Sequence, residues 1–180
     1  MKVLVVIDMQ KDFIDGALGS AEAQAIVPNV AKKVKQYAEM DDSVILYTRD
    51  THFGNYMDTM EGKYLPEPHC IFQHEGWEIV PEVMIDNACV KIINKFSFGE
   101  AGIAKTILDA CRDFYETIDI DSIEICGLCT DICVISNALI IKANFYDIPI
   151  TVDSSCCAGV TPAKHEAALE VMRSCQIEVI

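Results

Sequence analysis

The sequence predicts an α/β fold, a three-layer α/β/α sandwich around a mostly parallel six-stranded sheet. Two observations carry this expectation. Short apolar, β-branched runs alternate with longer stretches of helical period along the chain, the pattern of parallel βαβ units. The first run, Val3 to Ile7, is continuously apolar, as a strand buried on both faces of a parallel sheet must be. At 180 residues, 51% of them hydrophobic and 23% charged, the chain can build one substantial core but not two ordinary ones, so a single domain over residues 1–180 is expected.

Taken in order, Ala21 to Met40 follows the first strand with helical spacing at Ile26, Val30, Val34, Tyr37 and Ala38, and Pro28 is expected in the first turn. Ser43 to Thr48 is a second β-rich run, ending at Arg49-Asp50-Thr51-His52. From Phe53 to Glu82 no period holds, and an irregular segment of that length inside a compact domain usually serves function. Cys89 to Ile93 reads as the third strand, Asn94 to Gly99 as a connection, and Ala101 to Tyr115 as a helix. Ile123 to Cys126 is the fourth strand; it stops at Gly127, and Thr130 stands where a helix N-cap belongs, ahead of a helical pattern to about Asn144. A fifth strand is expected at Ile148 to Val152, a loop at Ser154 to Thr161, a helix from Pro162 to Ser174 and a closing strand at Gln176 to Ile180.

Charge and cysteine usage narrow the function. Fourteen basic against 28 acidic residues give a formal net charge of -14, which repels nucleic acid and anionic membrane, so neither is an expected partner. The apolar run before Asp8 is too short for a signal segment or a membrane span, which predicts a cytoplasmic protein. Nine cysteines, an odd number placed largely in strand and helix patterns, predict free thiols rather than a disulfide framework. Neither GxGxxG nor GxxxxGK[ST] occurs, which argues against a dehydrogenase or an NTPase.

In a parallel sheet, ligands collect beyond the carboxyl ends of the strands, where Asp8, Asp50, His52, Lys95, Cys129 and Cys133 fall. If Thr130 is a cap, Cys133 lies in the first turn of a helix, whose free N–H groups and dipole favour a thiolate and an oxyanion. Alternatively Cys133 is one more small apolar helix residue. Asp8 can serve as general base to that thiol or simply shape the following loop. Lys95, past the third strand, can hold Asp8 ionised, where Lys91 lies within the strand; solvation is the other reading of Lys95. Asp50 and His52, two apart on an extended segment, point the same way and with His69 make a possible three-ligand zinc site; a hydrogen-bonded Asp–His pair is the alternative. Cys129 is a second candidate nucleophile, expected to lend its N–H rather than its sulfur. Cys89, Cys126, Cys156, Cys157 and Cys175 read as packing residues.

Together, Val6-Ile7-Asp8-Met9-Gln10-Lys11-Asp12-Phe13, Thr48-Arg49-Asp50-Thr51-His52, Pro68-His69-Cys70, Lys95 and Gly127-Leu128-Cys129-Thr130-Asp131-Ile132-Cys133-Val134 resemble, over essentially the whole chain, the isochorismatase-like cysteine hydrolases, and within them the metal-containing nicotinamidases. The resemblance implies a catalytic triad of Asp8, Lys95 and Cys133, metal ligands Asp50, His52 and His69, and a divalent transition metal, zinc before others. It also implies a cis peptide at Leu128-Cys129, with the backbone N–H groups of Cys129 and Cys133 turned to the oxyanion. Phe13 and Leu65 are the expected substrate-binding side chains. Leu65, preceded by Tyr64, stands where such enzymes often carry Trp, and Phe96-Ser97-Phe98-Gly99 is shorter than their usual stretch after the lysine.

The implied reaction is hydrolysis of a small primary carboxamide, nicotinamide to nicotinate and ammonia, through a thioester on Cys133. Its partner is a small-molecule amide, with a homo-oligomer open. Other readings are a metal-free amidase of the same superfamily acting on a carbamoyl or ureido compound, a vinyl-ether hydrolase that would not need the cysteine, and a non-enzymatic thiol or metal-binding protein. The last leaves Asp8 and Lys95 without a purpose.

Overall fold

The computed structural model describes residues 1–86 and 89–180. Six strands, β1 (Lys2–Ile7), β2 (Ser43–Asp50), β3 (Val90–Lys95), β4 (Ser122–Leu128), β5 (Ile150–Ala158) and β6 (Glu178–Val179), form one sheet in the order β3-β2-β1-β4-β5-β6. Every neighbouring pair is parallel, so the sheet is wholly rather than mostly parallel. The helices are α1 (Lys11–Ile14), α2 (Ala21–Ala38), α3 (Met60–Tyr64), α4 (Ile103–Phe114), α5 (Ile135–Asn144) and α6 (Pro162–Ser174), and they cover both faces of the sheet. α2 packs on β2, β4 and β5, whereas α4, α5 and α6 pack side by side.

The core follows from the patterning. Val3, Leu4, Val5, Val6 and Ile7 are fully buried between the two helical layers. α4 buries Ile103, Ala104, Ile107, Ala110 and Cys111, one apolar stripe at helical spacing. Ser20 caps α2 by accepting from Ala23 N at 3.0 Å, and Thr161 caps α6 by accepting from Lys164 N at 3.2 Å, with Pro162 in the first turn as expected. Pro28 is different: it lies inside α2, because the helix starts at the Ser20 cap, and there it lacks the N–H that Gln24 O would accept. Among the described residues no helix is long and apolar enough to cross a membrane.

Several boundaries move. β2 continues to Asp50 and β3 to Lys95, carrying both side chains to the strand ends. The expected loop at Ser154 is largely strand, since β5 runs to Ala158 after a register shift beside β4: Ile125 pairs with Val152, but Gly127 pairs with Cys157. Polar residues that suggest a loop are satisfied across the fold there, Asp153 by Lys33 at 2.8 Å and Ser154 Oγ by donation to Ile180 O at 2.6 Å. The irregular segment contains α3 and single helical turns at Tyr56–Asp58, Glu75–Trp77 and Pro81–Val83.

The strand order reverses direction at β1, whose neighbours β2 and β4 belong to connections running opposite ways. The crevice beyond the carboxyl ends of β1 and β4 is therefore where an open parallel sheet binds its ligand.

Candidate active site

Asp8 is the residue that β1 delivers to this crevice. It is fully buried with φ 48°, the left-handed region that aspartate tolerates better than most residues. Thr48 Oγ1 donates to Asp8 Oδ1 at 2.6 Å, while Asp8 Oδ2 lies 2.7 Å from Lys95 Nζ. That Oδ2 is buried against the ammonium, and the Cys133 side chain hydrogen-bonds to Asp8 as well. A buried carboxylate within hydrogen-bond reach of the thiol is what a general base requires.

Lys95 joins everything. Its ammonium, fully buried, reaches Asp8 Oδ2 at 2.7 Å, Asp50 Oδ1 at 3.0 Å and Cys133 Sγ at 3.4 Å. Burial alone would discharge it, but Asp8, Cys133 and Asp50 outweigh burial and hold its pKa well above the ordinary value. Lys91, by contrast, sits on the exposed side of β3 and pairs with Asp113 at 2.9 Å. Asp50 is held well below the usual carboxylate range: burial opposes this, and His52, His69 and Lys95 overcome it.

Near the end of β4 stands Gly127, whose φ of 119° and position, with Ile7 O only 2.0 Å from where a Cβ would stand, admit glycine alone. The Leu128-Cys129 peptide is cis, as the resemblance implied. The helix expected from a Thr130 cap does not begin that way. Thr130 to Val134 form a π-helical turn that α5 continues, and the Thr130 hydroxyl caps no backbone group; it lies 2.8 Å from His165 Nδ1 on α6. Cys133 sits in this turn, buried against Lys95. Its thiol is not poised to ionise unaided: burial first, then the charge of Asp8, pushes its pKa well up, with Lys95 opposing. Burial also raises Asp8. The two acids are thus both driven toward their neutral forms, with one ammonium between them to favour a negative charge on either.

Cys129, half-buried, faces the same cavity, and burial pushes its thiol up to about 12. Cys126 and Cys129 have Cys-x-x-Cys spacing but straddle the strand end, one in the core and one on the cavity wall, and no disulfide forms among the described residues. Cys156 and Cys157 are buried packing residues at the end of β5.

On the other side of Lys95, Asp50, His52 and His69 converge. His52 Nε2 is 3.0 Å and His69 Nε2 3.7 Å from Asp50 Oδ2. Glu61 on α3, which spacing gave no reason to select, completes the group, its Oε1 3.6 Å from His52 Nε2 and 3.7 Å from His69 Nε2. The four ligand atoms lie within 4.8 Å of one another. His69 Nδ1 contacts Glu67 O at 2.9 Å, which leaves Nε2 its lone pair. Two carboxylates and two imidazoles with converging lone pairs fit a divalent transition metal.

Residues further out fix these ligands. Gln10 Nε2 donates to Asp50 O at 2.9 Å and Trp77 O at 2.8 Å, and Gln10 Oε1 accepts from Asp50 N at 2.7 Å. Asp12 Oδ2 accepts from Cys70 N at 2.7 Å, holding the segment that carries His69. Tyr56 stands edge-on to both histidine rings and donates to Leu65 O at 2.8 Å. Gln10 and Tyr56 could not be singled out in the sequence, because their partners are backbone groups and rings distant along the chain.

A cavity of about 1050 Å³ opens over the site. Cys133, Cys129, Asp50, His52 and His69 line it, together with Phe13 and Leu65, the two side chains expected to meet substrate.

The chain is similar to known proteins along its whole length. The isochorismatase domain model matches residues 2–180. The pyrazinamidase of Pyrococcus horikoshii in complex with zinc is 28% identical with a TM-score of 0.80, covering 99% of this chain and 98% of its own. The pyrazinamidase/nicotinamidase of Streptococcus mutans UA159 is 26% identical with a TM-score of 0.82 over 100% of both chains. A nicotinamidase/pyrazinamidase of Mycobacterium tuberculosis is 24% identical over 202 residues, 100% of this chain and 98% of that protein.

Proposed function

The chain belongs to the isochorismatase domain family and is an amide hydrolase, and from that premise we propose that it converts nicotinamide, or a close aromatic carboxamide, to the carboxylate and ammonia through a thioester on Cys133. The observation that carries this reading is Lys95, one buried ammonium within 3.4 Å of Asp8, Asp50 and Cys133, which ties a nucleophile and base to a metal-ligand group.

The substrate carbonyl sits with its oxygen toward the backbone N–H groups of Cys129 and Cys133. Asp8 Oδ2 takes the Cys133 proton as Sγ forms a bond to the carbonyl carbon and the π pair moves onto oxygen. Burial raises both acids, and Lys95, in contact with each, stabilises the negative charge whether it lies on Cys133 or on Asp8. The tetrahedral species collapses, the C–N bond breaks, and Asp8 returns the proton to the departing ammonia. Water then adds to the thioester, giving its proton to Asp8, and the C–S bond breaks as Cys133 recovers its thiol. Asp50, His52, His69 and Glu61 would hold a divalent metal, zinc in our reading, which when bound supplies a Lewis-acid contact for a ring nitrogen. Phe13, 5.5 Å from the His69 ring, offers an apolar face to the substrate ring beside that point.

The test is ammonia release from nicotinamide, pyrazinamide, benzamide and an N-carbamoyl amino acid, with and without chelator. We expect pyridine and pyrazine carboxamides to be turned over and to suffer most from chelation. Preference for the carbamoyl compound, indifferent to chelator, would replace this reading with a metal-free amidase.

A further inference from the structure

The cavity is larger than a one-ring carboxamide needs. At about 1050 Å³ it matches the upper end of the ~300–1,000 Å³ that holds a drug-sized ligand. The chemistry described above occupies only its buried floor, where Cys133 and the metal-ligand group lie. Above that floor the same cavity is walled by parts of the chain with no role in the reaction: Leu18 between α1 and α2, Met60 and Tyr64 on α3, Phe98 after β3, Ile132 beside the nucleophile, and Val160 before α6. These are apolar or aromatic side chains drawn from five separate segments. Several remain bare: Tyr64 is 84%, Met60 65% and Val160 51% exposed. Clustered exposed apolar side chains rimming a cavity mark a surface shaped for an apolar partner rather than for water.

Resting on the amidase reading above, we propose that the preferred substrate is an aromatic primary carboxamide with an apolar substituent projecting from the ring, away from the carboxamide, into this upper chamber. The chemistry at the carboxamide is unchanged; the added contacts act on binding. A substituent that leaves the floor covers Met60, Tyr64 and Val160 and excludes the water now against them, and the gain falls in KM more than in kcat. Polar side chains of Ser20, Thr59, Ser97 and Lys164 also line the cavity, interspersed with this apolar wall.

The experiment compares kcat and KM for nicotinamide and for nicotinamide with a phenyl group on the ring carbon meta to both the carboxamide and the ring nitrogen. That position leaves the ring nitrogen open. A substituent of this size should raise kcat/KM at least about tenfold, mostly through KM, on the scale of added apolar groups in an enzyme pocket. In Val160→Asp, and separately in Tyr64→Ser, the ratio between the two substrates should fall toward one; both side chains are surface-exposed, so the variants fold. If nicotinamide is turned over but the phenyl compound is no better, or its advantage survives both variants, the inference is wrong and the amidase assignment stands. If neither amide releases ammonia, the amidase assignment itself fails and takes this inference with it.

Discussion

Lys95 shows how much of the site depends on one side chain. It is a buried cation touching two carboxylates and a thiol, so removing it leaves Asp8 and Asp50, both buried, to repel one another. Lys95→Met should lower kcat/KM by about 10² or more and also cost stability, whereas Lys91→Ala, which removes only an exposed pair with Asp113, should change neither appreciably. Steady-state kinetics alongside thermal melts check both, and reversed effects would mean that the wrong lysine was assigned. Cys133→Ala should cut turnover by about 10⁴ or more, whereas Cys129→Ala keeps its backbone N–H and should lose less than about tenfold. His165 Nδ1 lies 2.8 Å from the hydroxyl of Thr130, three residues before Cys133. His165→Ala should reduce kcat roughly fivefold, the worth of one hydrogen bond, with KM unmoved. A KM effect instead would place His165 against substrate.

Among the elements, α2 is fastened to the sheet by charge as well as by packing. Lys33 pairs with Glu124 on β4 and, at 2.8 Å, with Asp153 on β5, and Tyr37 OH donates to Glu124 Oε2 at 2.7 Å. Lys33→Met should destabilise by about 1–4 kcal/mol, between the values for exposed and buried pairs. Burial opposes ionisation of Asp153, but hydrogen bonds from Lys33 and Ser155 lower its pKa. A folded pKa below the unfolded ~3.9 stabilises above about pH 4, and that contribution disappears as pH falls through the folded value. The melting-temperature gap between the wild-type protein and Lys33→Met should therefore narrow from pH 7 to pH 3, and a constant gap would deny Asp153 this role. The same region shows where sequence reading stops. Strand and helix order was legible because apolar runs and helical stripes are local, and Asp8, Asp50, His52, Lys95 and Cys133 stood out because parallel strands end in one crevice. The length of β5 was hidden, since Asp153-Ser154-Ser155 look like a loop until Lys33 and Ile180 supply partners. The Thr130 cap failed for a like reason: its hydroxyl meets a histidine on α6 instead. Glu61 was hidden because only the turn of α3 brings it to the two histidines.

For the molecule as a whole, the sheet sets Asp8 from β1, Asp50 from β2, Lys95 from β3 and Cys133 after β4 around one point, so folding, metal binding and chemistry are coupled. A divalent metal that binds only the folded protein stabilises it by about 2.7 kcal/mol at a hundredfold excess over Kd, a rise of roughly 5–10 °C for a chain of this size. Zinc titration should show that rise in the wild-type protein and lose most of it in His52→Ala; equal rises would remove His52 from the metal site. The central claim, though, is that a thiol in the Asp8–Lys95 pair attacks an amide. It is tested most directly by rapidly acid-quenching the enzyme during turnover of nicotinamide and mapping the acyl group by peptide mass spectrometry. The account predicts a nicotinoyl thioester on the peptide containing Cys133, retained in Cys129→Ala and lost in Cys133→Ala. An acyl group on Cys129, or ammonia release undiminished in Cys133→Ala, would contradict it.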